Sequence, residues 1–185
     1  DAMSPSHTRK GDRLYRYYVA QSVLKRGPET CPVGRVPAAE IETAVTKHGF
    51  KGVYVHIYGF DIPLHDRKMY PLYSKCVELD IAVGFQVGHS AEVLPSDCGR
   101  PMLADDVAID FPDLRINLSH TGWPWVDEWC SMLWRHPNVY GDISAYYAKS
   151  LDERLVRFMD SGRGRHKVLF GTNGLGLERC KREFL

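Results

Sequence analysis

The chain has 185 residues, 44% hydrophobic and 25% charged, with a net charge of +1 at neutral pH. That is enough chain for one domain with a real core, and the composition is that of a globular protein rather than a disordered or fibrous one. The near-zero charge gives no global drive toward nucleic acid or an anionic membrane, and no apolar run approaches the roughly 18 residues of a membrane span.

The charge is uneven along the chain. Residues 1–35 carry seven Lys/Arg against three Asp/Glu, a net of +4, which leaves 17 against 20, a net of −3, for residues 36–185. Within the basic part, Arg13-Leu-Tyr-Arg-Tyr-Tyr-Val19 alternates in a way that predicts a strand. Residues 27–37 hold three prolines and two glycines and read as a linker. Ala38 to His48 then reads as a short helix closed by Gly49.

From Phe50 onward the pattern is regular. A strand at 52–57 leads to a helix near 67–80, opened by Asp66, with Met69, Tyr73, Cys76 and Val77 on its apolar stripe. A strand at 81–87 leads through a long loop to a helix near 102–110. A strand at 114–119 leads to a helix near 124–136, where Pro124 suits the first turn and Val126, Trp129, Cys130, Leu133 and Trp134 line one face. A strand at 138–142 leads to a helix near 151–160 with Leu151, Leu155, Phe158 and Met159 inward. A last strand, 167–171, precedes a partial helix. Strands alternating with helices predict βαβ units around a parallel sheet. Five strands in about 130 residues, where a complete (β/α)8 barrel takes about 250, make the expected fold class α/β, an incomplete TIM barrel.

Each strand-like run ends on a polar group: His56, His89, His120, Asp142 and Asn173. Parallel strands deliver their carboxyl ends to one face, where ligands bind in α/β proteins. A neutral His89 could hold a divalent metal, or it could hydrogen-bond its own loop. His120 could be a general base or a second ligand, or it could pack on Trp123. His56 could orient a substrate carboxylate, or be a satisfied buried histidine. Asp142 could hold the second nitrogen of a histidine, or cap a turn. Glu92 and Asp97 read as solvated loop acids, with Glu92 close to His89. The run Gly171-Thr-Asn-Gly-Leu-Gly could cradle an anion. His7, His48, His136 and His166 have no strand-end position. Cys31, Cys76, Cys98, Cys130 and Cys180 show no Cys-x-x-Cys spacing, so reduced thiols in a cytoplasmic protein are expected.

From about Phe50 the chain resembles the amidohydrolase-related family, TIM-barrel metal-dependent hydrolases and decarboxylases. The resemblance rests on Gly52-Val-Tyr-Val-His-Ile, Gln86-Val-Gly-His89, Leu118-Ser-His120-Thr-Gly-Trp, Asn138-Val-Tyr-Gly-Asp142-Ile-Ser and Val168-Leu-Phe-Gly-Thr-Asn173. It implies barrel strands four to eight and a small carboxylated substrate. By it His89 is a metal ligand and His120 activates water or acts as acid or base. With the strand-end reading, Asp142 joins His120 as a catalytic candidate, and His56 and Asn173 are the candidate substrate contacts. The family's cofactor is a divalent metal, zinc or manganese. The family's His-x-His pair does not occur in this sequence, and Asn173 stands where the family has a metal-binding aspartate. The expectation is therefore that this chain binds metal weakly or not at all.

Residues 1–42 resemble a different family, the large serine recombinases, on Ser6-His-Thr-Arg-Lys, Leu14-Tyr-Arg-Tyr-Tyr-Val19 and Arg35-Val-Pro-Ala-Ala-Glu-Ile-Glu42. That likeness implies a DNA-binding remnant in residues 1–42 joined to a barrel part in residues 43–185. The chain begins at Asp1 rather than Met and ends inside a helical pattern, so both ends are expected to be cuts in something longer. An incomplete barrel would leave an open edge at strand 52–57, through which copies could self-associate unless Leu14–Val19 covers it.

Overall fold

The computed structural model describes residues 3–10, 13–20, 35–60 and 62–184. The expected strand in the basic segment is present. Met3–Lys10 (β1), Arg13–Ala20 (β2) and Arg35–Pro37 (β3) form an antiparallel sheet in the order β1-β2-β3, with Met3 opposite Ala20 and Tyr17 opposite Pro37. Most of the linker expected at 27–37 lies outside the described residues; its end is β3.

Ala38–Thr46 (α1) is the short helix the sequence predicts. Gly49 closes it at φ +71°, with its N–H bonded to Val45 O at 3.1 Å and that of Phe50 to Ala44 O at 3.0 Å. Ile41 and Val45 pack against the core of the barrel part. Glu42 accepts from Lys75 Nζ at 2.8 Å. The helix that straddles the expected boundary at residues 42 and 43 is thus fastened to the barrel part.

Five βα units follow: Gly52–Val55 (β4), Tyr70–Glu78 (α2), Ala82–Gln86 (β5), Ala104–Asp110 (α3), Ile116–Ser119 (β6), Val126–Arg135 (α4), Val139–Asp142 (β7), Glu153–Asp160 (α5), Val168–Leu169 (β8) and Leu177–Phe184 (α6). The sheet order is β4-β5-β6-β7-β8 and all the pairings are parallel. Among the described residues no further strand pairs with the outer edge of β4 or of β8, and the sheet is an incomplete TIM barrel, as expected. The β1–β3 sheet does not add to it.

The register sorts side chains by row. Val55, Phe85, Leu118, Gly141 and Val168 stand side by side across the sheet. Phe85 and Leu118 are fully buried, each contributing roughly 1.5–3 kcal/mol of burial. In that row Gly141 admits the Trp129 ring: a Cβ there would sit 2.1 Å from Trp129 Cζ2. Trp129 Nε1–H donates to Leu118 O at 2.8 Å. The neighbouring row, Tyr54, Gly84, Asn117 and Tyr140, belongs to the other, concave face, where side chains alternate away from the helices.

The helices depart from the sequence reading in detail. Asp66 caps a 3-10 turn, Arg67–Met69, through Lys68 N–H at 2.8 Å, and the α-helix proper starts one turn later. Met69, Tyr73 and Cys76 are buried, as the stripe predicts. Trp134, expected inward, is exposed on α4. The buried arc there is Val126, Trp129, Met132 and Leu133, and Trp134 falls beyond it, with the Arg163 guanidinium over its ring at 5.4 Å. Among the described residues no helix is long and apolar enough to cross a membrane.

Candidate active site

Because β4 to β7 run parallel in one register, the residues after them reach one edge together. His56 follows β4, His89 lies three residues past β5, His120 follows β6 directly, and Asp142 is the last residue of β7. Asn173 lies four residues past the short β8. The structure draws only some of these into one network.

Asp142 is the hub. Its side chain is buried and accepts from Asn117 Nδ2 at 2.7 Å, Ser144 N–H at 3.0 Å, His120 N–H at 3.3 Å and the Ser144 hydroxyl. Burial alone would push this carboxyl up. Hydrogen bonds from Ser144, Asn117 and Ser119 outweigh it, and the pKa lies below the ordinary carboxylate value.

The His120 ring lies beside Asp142 but does not touch the carboxylate. Its Nδ1 meets Ser144 Oγ at 2.7 Å, and its Nε2 faces the Tyr54 hydroxyl at 3.4 Å. The expectation that Asp142 holds the histidine's second nitrogen is corrected: Ser144, two residues on, stands between them. Burial lowers the His120 pKa, with Asp142 and the Ser144 backbone acting in the opposite sense. The backbone at this strand exit is left-handed at two non-glycine residues, His120 at φ +71° and Thr121 at φ +60°. Such conformations persist where surrounding contacts hold them, and they cluster at functional sites.

His89 has different surroundings. It is exposed, its ring 5.8 Å from Trp125 and stacked nearly parallel to it, and 5.2 Å from Trp123. Its N–H donates to Trp123 O at 2.9 Å, and Nδ1 lies 3.4 Å from Ser96 Oγ. Gly88 before it has φ +93°. Glu92, read as a neighbour of His89, instead reaches back to His56, Oε2 to Nε2 at 3.3 Å, and accepts from Ser90 Oγ at 2.9 Å. The long loop after β5 folds toward β4, which a sequence cannot reveal. His56 is half-exposed rather than buried, its ring edge-on to Tyr58 at 5.5 Å. Asn173 is exposed at φ +47°, followed by Gly174 at φ +81°. Asparagine is one of the few residues that tolerate that conformation, so the turn itself accounts for its presence.

A divalent metal needs three or four convergent protein ligands. Among the described residues no group of three or more His, Cys, Asp or Glu is so placed, and His89 lies between tryptophans rather than beside other donors. The residues present do not fit a metal site by themselves.

Tyr54, Asn117, Ser119 and Ser144 are the site residues that sequence reading missed. The first three occupy alternate strand positions that face the concave side. Ser144 sits in the Asp142-Ile-Ser run already noted. In that geometry the chain offers a buried carboxylate, a hydroxyl and an imidazole whose far nitrogen faces the Tyr54 hydroxyl.

Comparison with known proteins agrees with this architecture. The family model described as Amidohydrolase matches residues 8–179, so the match begins inside the segment likened to recombinases. No protein of curated function matches the chain. Among solved structures, an uncharacterised TIM-barrel protein from Bordetella bronchiseptica is 28% identical with a TM-score of 0.63, over 74% of this chain and 49% of that one. 4-Oxalomesaconate hydratase from Rhodopseudomonas palustris is 25% identical with a TM-score of 0.53, over 75% and 45%. 2,6-Dihydroxybenzoate decarboxylase from Rhizobium shares the fold at 14% identity and a TM-score of 0.57, over 89% and 67%. The chain spans about half the length of the first two. With the family model running through both the concave-face strands and the polar groups at their ends, the chain belongs to the amidohydrolase family.

Proposed function

We propose that this chain carries the proton-transfer side of an amidohydrolase-type centre, for hydrolysis or non-oxidative decarboxylation of a small carboxylated substrate. The observation behind it is the chain of hydrogen bonds from buried Asp142 through Ser144 to His120 at the strand ends. His120 is the residue that exchanges a proton with water or substrate, and Asp142 positions it. Burial keeps His120 neutral near pH 7, so it starts as a base. In hydrolysis it would take a proton from attacking water. In decarboxylation it would first accept a proton from the substrate and return it to the carbon that loses carbon dioxide. His56 would contact the substrate carboxylate in competition with Glu92, and Asn173 would border the same face. The family's divalent metal, zinc or manganese, enters no step here, because among the described residues His89 is not part of a group of three or more His, Cys, Asp or Glu that could hold it. The unpaired thiols of Cys76, Cys130 and Cys180 suit a cytoplasmic protein.

The test is binding and turnover of a panel of small carboxylated compounds, 2,6-dihydroxybenzoate and 4-oxalomesaconate among them. We expect saturable binding that His56→Ala weakens about tenfold, the scale of a lost charge-assisted contact. Any turnover should fall at least about 100-fold in His120→Gln. Absence of binding across the panel would overturn the reading.

A second reading divides the chain at residues 42 and 43 and gives the first part a DNA contact. Its support is the net charge of +4 on residues 1–35 and the separate antiparallel sheet. Duplex DNA binding that weakens steeply with salt would favour it, and binding indifferent to salt would end it. Self-association through the open β4 edge belongs to either reading, and a concentration-dependent mass in solution would reveal it.

A further inference from the structure

We propose that Ser144 is a positioning residue that fixes His120 in one tautomer, with the proton on Nδ1 and the Nε2 lone pair facing the concave side. The inference rests on the acid–base reading of His120 and deepens it. Hydrogen-bond polarity decides the tautomer. An ionised carboxylate only accepts, so Ser144 Oγ must give its one hydrogen to Asp142. Having donated, that oxygen can only accept from the imidazole nitrogen 2.7 Å away, and Nδ1 must carry the hydrogen. The opposite tautomer would set Nδ1 and Asp142 in competition for a single hydroxyl hydrogen and leave one acceptor unmet inside the protein. Asn117 locks the carboxylate from its other side. Its Nδ2 donates to Asp142 at 2.7 Å and to Ser119 Oγ at 3.0 Å, so the carboxylate cannot turn away from Ser144 without losing a partner.

Polarity then passes outward to the reacting atom. With Nδ1 protonated, Nε2 is bare, and the Tyr54 hydroxyl 3.4 Å away is a donor it can accept from. A substrate or water hydroxyl arriving on the concave face would meet the same lone pair. The hydroxyl bridge does what a carboxylate bound directly to the imidazole does in a catalytic triad, with one more link.

The experiment is nitrogen-15 NMR of the full chain with labelled histidine, reading the His120 ring-nitrogen shifts above the pH at which the ring is neutral. The expected result is a Nδ1–H population at least about ten times the other, the factor a buried hydrogen bond supplies. In Ser144→Ala the preference should collapse toward a mixture, and in Ser144→Thr, which keeps the hydroxyl, it should return. A wild-type His120 protonated on Nε2, or a ratio unchanged in Ser144→Ala, would overturn the proposal. The two readings fail separately. If carboxylated compounds bind while His120 is Nε2–H, the relay is wrong and the proposed function survives. If the tautomer is as stated but no compound of the panel binds, the relay survives alone.

Discussion

His89 and His120 hold equivalent places in the fold, each just beyond the carboxyl end of a neighbouring parallel strand, yet their surroundings are opposite. His120 is half-buried and joined through Ser144 to a buried carboxylate that takes four hydrogen bonds. His89 is exposed, stacked near Trp125 and Trp123, with one weak contact to Ser96 at its ring. Strand-end position therefore says where a polar group is delivered, and the loop that follows decides what it can do there. After β6 the chain turns tightly through two left-handed residues and meets β7. After β5 it runs into a long loop without aromatic residues, and the rings beside His89, Trp123 and Trp125, come instead from the segment after β6.

The largest contrast should appear on removing the central acceptor. Asp142→Ala leaves the Asn117, Ser144 and His120 donors without their partner, and should cost about 3 kcal/mol in urea unfolding. His89→Ala removes an exposed ring and should cost less than about 1 kcal/mol. Equal costs for the two substitutions would erase the distinction drawn here.

The pH dependence sharpens the same contrast. The folded pKa of Asp142 lies below its unfolded value of about 3.9, so the stability it contributes is present above that pH and lost as pH falls through the lowered folded value. The folded pKa of His120 also lies below its unfolded value, about 6.5. As pH drops below about 6.5 the unfolded chain takes up that proton first, and stability declines until the folded value is passed. Urea midpoints measured from pH 8 to pH 3 should show this upper decline in the wild type and in His89→Ala. It should be reduced in His120→Gln. A decline that His120→Gln leaves unchanged would assign it to another group.

The smallest effect concerns the sheet itself. Among the described residues β4 pairs on one side only, while β6 is held on both. Amides of residues 52–55 should exchange faster than those of residues 116–118, by about tenfold or more if their opening is local. Equal protection would show that the outer edge of β4 is covered in solution.

How much of this was legible in the sequence follows from what each feature depends on. The strands were legible because Val-Tyr-Val, Ala-Val-Gly-Phe and Ile-Asn-Leu are short β-branched or apolar runs with helical patterns between them. Their common polarity followed from the alternation. Asp142 and His120 stood out as polar groups at strand exits. The Ser144 bridge did not, because it depends on the exact approach of two strand ends. Tyr54 and Asn117 were hidden because their role comes from register, which sets Tyr54 beside Gly84 and Asn117 beside Tyr140. The Glu92–His56 pair was illegible for a related reason: a long loop can fold toward either neighbour. Trp134 was misread because helical spacing gives an apolar arc without giving its limits.

The most direct test of the account follows the ring resonances of all the histidines while 2,6-dihydroxybenzoate is titrated into the full chain. The account predicts that His120 shifts most among the strand-end histidines, that His56 shifts with it, and that His89 stays near its starting position. Shifts centred on His89 with His120 unmoved would place the reacting end of the site in the tryptophan pair and contradict the assignment of proton transfer to His120.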